Sequence, residues 1–117
     1  VHFIEDRKEL WADPETGLLE VAAIPTGFMK ISRQCIKQMI EAYPETYYSD
    51  RTKDNKFWAF FDSYVDPELN WKYGEDYSFC HKYRKIGGKV WMHPEIAMGH
   101  IGNKTFTGHI GNYLKNR

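Results

Sequence analysis

The chain has 117 residues, room for one domain and too few for two. Lysine and arginine (16) balance aspartate and glutamate (16), and the resulting net charge of zero excludes nucleic-acid or anionic-membrane binding driven by bulk charge. No apolar run reaches the roughly 18–20 residues that span a bilayer. Cys35 and Cys80 lack CxxC spacing and read as two reduced thiols of a cytoplasmic protein.

The opening "VHFI" is a short strand candidate. The polar stretch "DRKELWADPETG" follows, with Pro14 early in a turn and Gly17 closing it. "LLEVAAIP", Leu18 to Pro25, is apolar and β-branched and reads as a buried strand, so the two predict a hairpin with a long polar loop. Thr26-Gly27 breaks the run as a bulge, a tight turn, or a backbone opened for a sugar or phosphate, and the alternating "FMKIS" reads as another strand. Ser32 is a natural N-cap for a helix over 33–43, in which Cys35, Ile36, Met39, Ile40 and Tyr43 share one face before Pro44 stops it. "TYYSDRTKDNKFWAFFDSYVD" predicts strands at Thr46–Ser49 and Phe57–Val65 around a polar hairpin loop or lid, and "PELNWKY" predicts a loop. A second helix is expected over 75–86, with Gly87-Gly88 as its C-cap. "KVWMHP" and "IAMGH" read as short strands, and "HIGNYLKN" as a short helix. Together these predict an α+β domain: a mixed sheet of short strands with two main helices packed on it, without regular βαβ alternation.

Chemistry concentrates in "WKYGEDYSFCHKYRKIGGKVWMHPEIAMGHIG", Trp71 to Gly102. Glu75 and Asp76 fall in the first turn of a helix. Acids there complement the helix dipole, the simpler reading; beside Gly74, which lets a ligand approach the backbone, one of them could also deprotonate a hydroxyl, although the dipole weakens a carboxylate as a base unless burial opposes it. His100 stands between glycines that leave room for a metal or phosphate, or it is an ordinary hydrogen-bonded histidine. His81 reads as helix surface, and His93 as structural. No HExxH or CxxC zinc spacing, phosphate loop, GxGxxG or GxSxG elbow occurs. The aromatic residues Trp58, Phe60, Phe61, Tyr64 and Trp71 offer a second use, a stacking platform for a non-catalytic carbohydrate-binding or assembly module.

The ordered set "TGFMKISRQCI … GEDYSFCHKYRKIGGKVWMHPEIAMGHIG", over roughly Leu18 to Gly108, resembles the C-terminal half of family-2-like inverting glycosyltransferases with the glycosyltransferase A fold. The resemblance implies the acceptor-side half of a nucleotide-diphospho-sugar transferase. It implies that Asp76 is the base for the acceptor hydroxyl, with Glu75 the alternative. It further implies that Thr26, Gly27 and Phe28 border the donor sugar, that Gly74 and Trp71 contact substrate, and that His100 helps hold manganese or magnesium on the donor diphosphate. Partners are then a sugar nucleotide and a hydroxyl acceptor, not nucleic acid. That family's first half carries a DxD metal motif, and none occurs here, Glu5-Asp6-Arg7 being no substitute. With the mid-strand start at Val1, this predicts a fragment of a longer transferase, inactive alone. "VHFI" and "LLEVAAI" are then open strand edges, and a two-fold dimer is expected.

Overall fold

In the computed structural model, which describes residues 1–5 and 9–116, eight three-residue strands and three helices form a mixed α+β fold. The strands are β1 (Leu19–Val21), β2 (Tyr47–Ser49), β3 (Lys56–Trp58), β4 (Tyr64–Asp66), β5 (Trp71–Tyr73), β6 (Val90–Met92), β7 (Met98–His100) and β8 (Phe106–Gly108). The helices are α1 (Arg33–Ala42), α2 (Glu75–Lys85) and α3 (Ile110–Lys115). The strands do not assemble into one mixed sheet. They pair as four separate antiparallel ladders, β1 with β6, β2 with β3, β4 with β5, and β7 with β8. Three of these join neighbours in sequence through short polar connections, which is the local pairing that three-residue strands allow. The single-sheet arrangement expected of an acceptor-side transferase half is therefore not what these residues form.

The core gathers around β1. Leu19 and Val21 pair with Met92 and Val90 and point to one face. Cys35 and Met39 of α1, Phe79 and Cys80 of α2, Ala23 and Phe60 complete the buried cluster. Glu20 and Trp91, paired on the other face, lie near Trp11 and Lys89, whose ammonium sits 5.5 and 5.8 Å from the two indole rings. The free edge expected along "LLEVAAI" is partly used within the chain: β6 takes one side, and isolated bridges His2↔Ala23 and Ala12↔Leu19 take the other. "VHFI" contributes that one bridge and no strand. The Asp6 of "EDR" lies outside the described residues.

The radius of gyration, 16.4 Å, exceeds the roughly 13 Å of a compact domain this long, in keeping with hairpins β2–β3 and β7–β8, whose residues are mostly exposed.

Both main helices form where their caps and apolar faces place them. Ser32 Oγ accepts the Cys35 amide at 3.1 Å and starts α1, which buries Cys35 and Met39. Gly74 precedes α2 with no side-chain cap, and Glu75 and Asp76 occupy the positive end of its dipole while Lys82, Arg84 and Lys85 occupy the negative end. The Gly88 and Gly87 amides return to the Tyr83 and Arg84 carbonyls, each at 3.0 Å, and Gly87 takes φ +89°, so the double glycine closes α2 as a Schellman motif. The helices are tied together by the Tyr43 hydroxyl, which donates to the Lys82 carbonyl at 2.7 Å.

Several segments differ from the sequence reading. "FMKIS" is not a strand, and Thr26–Phe28 is a 3₁₀ turn following Pro25. The expected strand Phe57–Val65 is split, because the chain turns at Phe60-Phe61 and its end pairs onward with the supposed loop "WKY". Phe106–Gly108 adds a strand where no period announced one.

Candidate functional site

The strand β5 runs through Gly74 directly into α2, so Trp71, Gly74, Glu75 and Asp76 form one continuous edge. Glu75 is exposed and Asp76 half-buried. Asp76 Oδ1 accepts the Tyr77 amide at 2.8 Å, which orients the carboxylate, while Oδ2 has no hydrogen-bond partner among the described residues. Trp71, the first residue of β5, is 46% exposed. The His2 ring bridges it to α2, lying 6.2 Å from Trp71 and 4.6 Å from Tyr77. Burial of the Tyr77 phenol, with the Asp76 charge second, raises its pKa, so it stays a neutral hydroxyl here.

The Thr26–Phe28 turn is brought toward the same helix. The Cys80 thiol meets the Ile24 carbonyl at 3.8 Å, and Cys80 lies one helical turn beyond Asp76. Phe28 is 73% exposed. Gly27 has open space where a Cβ would stand and no positive φ, so nothing in the backbone demands glycine there. His100 is different. It ends the exposed strand β7, and its imidazole makes no hydrogen bond or ion pair with any described residue. Among the described residues no group of three or more His, Cys, Asp or Glu side chains converges to hold a metal ion, so these residues do not by themselves make a manganese or magnesium site.

The most elaborate charged cluster was not singled out by the sequence reading. Asp66, at the end of β4, is 1% exposed. Its Oδ1 accepts the Glu68 and Leu69 amides at 2.9 and 3.1 Å. Its Oδ2 meets His81 Nε2 at 3.0 Å, Lys85 Nζ at 3.2 Å and the Tyr64 hydroxyl at 3.4 Å. These bonds, the Leu69 amide foremost, hold the carboxyl well below its ordinary range against the opposing effect of burial. Burial first and the Asp66 charge second push the Tyr64 phenol up. Tyr73 stacks on His81 with centroids 4.6 Å apart, and on Tyr64 at 5.6 Å. Two signals in the sequence pointed here: the Asp-Pro turn opening, and the i, i+4 spacing of His81 and Lys85 on one helix face. Because every Asp66 contact is internal and the group is shut from solvent, Asp66 cannot itself reach a substrate.

The five-residue aromatic platform does not form as one surface. Phe60 is in the core, Trp58 packs against it and meets Tyr47 at 5.5 Å, Phe61 stacks flat on Phe79 at 4.5 Å, and Tyr64 stacks on Tyr73, so that of the five only Phe61 and Trp71 are exposed. Both thiols are buried, and that burial raises their pKa, so neither is an activated nucleophile. Ser78 is fully buried, and its hydroxyl has no partner among the described residues. Among the described residues, no helix is long and apolar enough to cross a membrane.

Comparison of the chain with protein-family models, with curated proteins and with solved structures finds no match.

Proposed function

We propose that this chain is the acceptor-side part of an inverting glycosyltransferase, with Asp76 as the base. One observation carries the reading: a half-buried carboxylate at a helix start, one oxygen held by the Tyr77 amide and the other without a hydrogen-bond partner among the described residues, five residues after an exposed indole on the strand that feeds the helix. The exposed face of Trp71 suits the apolar face of a sugar ring, and a hydroxyl of that sugar would reach Asp76 Oδ2. The acceptor proton passes to the Asp76 carboxylate as its oxygen bonds to the anomeric carbon. The carbon–oxygen bond to the diphosphate breaks on the opposite side, and the nucleoside diphosphate leaves with the electron pair. Inversion follows from that in-line displacement. Thr26–Phe28, drawn toward α2, would border the donor sugar.

The test is Asp76→Asn in an active protein containing this chain. Transfer should fall by roughly 10² to 10⁴, the usual contribution of a general base, with donor affinity unchanged. Equal loss of donor affinity and rate would make Asp76 structural and remove the proposal. Glu75→Gln, at the exposed neighbour, should cost far less; a larger loss there would move the base to Glu75.

A further inference from the structure

We propose that Asp66 is a positioning residue: it latches the β4–β5 hairpin onto α2 and so fixes where Trp71 stands relative to the Asp76 carboxylate. Its consequence for transfer rests on the reading of Asp76 as base, but the latch itself stands on geometry.

The covalent path from Asp66 runs through the turn to Trp71, along β5, across Gly74 and up α2 to His81, fifteen residues on in sequence. The Asp66–His81 contact closes that path into a ring, and Lys85, one turn further along the same helix face, adds a second closure. Gly74 is the single residue between β5 and α2, so the angle between hairpin and helix is set there and at the latch. The helix has other anchors, since Phe79 and Cys80 lie in the core. The hairpin has fewer: Val65, Trp71 and Lys72 are exposed, and beside the Asp66 contacts its ties to α2 are ring contacts, Tyr64 and Tyr73 around His81, the Lys82 ammonium 5.3 Å from the Tyr64 ring, and the His2 ring between Trp71 and Tyr77. Losing the latch would therefore leave α2 in place and free the hairpin to swing about Gly74, carrying Trp71 away from Asp76.

The two carboxylate oxygens have separate duties, which makes the idea testable. Asn at position 66 keeps an acceptor for the Glu68 and Leu69 amides, but sets an amide NH₂ without charge against Lys85. In amide and indole NMR spectra of the chain, Asp66→Asn should shift or broaden the signals of Gly74, Glu75, Asp76 and the Trp71 indole, while those of Val21 and Met39 stay fixed. His81→Gln, which keeps a donor toward Oδ2, should stay near wild type; His81→Leu should reproduce the Asp66→Asn pattern. If Asp66→Asn does not fold, His81→Leu and Lys85→Met leave the carboxylate and its turn intact and carry the same comparison. Perturbations confined to the 64–69 turn and to residues 81 and 85 would overturn the latch and leave Asp66 a turn cap. The readout needs no sugar, so a failed transfer assay and a failed latch are told apart.

Discussion

Met39 is the residue on which the helix–strand core should depend most. It has no exposed surface and sits on the inward face of α1. Met39→Ala removes three heavy side-chain atoms, about 2 kcal/mol of transfer free energy at about 0.8 kcal/mol per methylene-sized group. The part of the void that fails to collapse, on the order of 40 Å³, adds about 1 kcal/mol at roughly 24 cal/mol per Å³. The sum, about 3 kcal/mol, is a large share of the roughly 5–15 kcal/mol that holds a domain together. It corresponds to a fall of roughly 10–15 °C in Tm for a chain of this size. Urea and thermal unfolding followed by far-UV circular dichroism measure it, with Lys37→Ala on the exposed side of the same helix as a control expected within about 0.5 kcal/mol. A Met39→Ala loss below about 1 kcal/mol, or one equal to the control, would refute the claim that α1 closes a filled core.

Ser32→Ala removes the α1 cap and should cost about 1 kcal/mol, seen as a lower urea midpoint; no change would mean the Oγ–amide bond contributes nothing. Ser78→Ala removes a buried hydroxyl that has no partner among the described residues, so stability should hold or rise; a loss above about 1 kcal/mol would reveal a partner. Because the folded state depresses the Asp66 pKa, its contribution is present above the unfolded value of about 3.9 and is lost as pH falls through the folded one. The wild type should therefore lose Tm steeply below about pH 4, and Asp66→Asn, less stable at neutral pH, should lose it more gently; parallel profiles would sink this account. Phe28, Val65, Leu69 and Ile101 are each more than half exposed, and self-association, most simply a two-fold dimer, is expected by sedimentation. A clean monomer at about 100 μM would count against it.

What the sequence determined by itself was local. Ser32 and the 3.6-residue spacing of Cys35, Ile36, Met39 and Ile40 define α1. The acids after Gly74 and the double glycine after Ile86 bound α2, and the apolar "LEV" and "VWM" become the central ladder. The candidate site was legible to the same extent: Gly74, Glu75 and Asp76 do open a helix, with Trp71 just before them, because dipole and chain connectivity act within a few residues. Tertiary structure decided the rest. Strand partners depend on which three-residue segments meet, and a period-2 pattern says nothing about that, so one expected sheet became four ladders. No reading of the sequence singles out Asp66, and His81 reads as helix surface. Only the packing of the β4–β5 hairpin on α2 brings them to 3.0 Å, and a carboxylate shut from water must satisfy its charge from whatever donors that packing supplies.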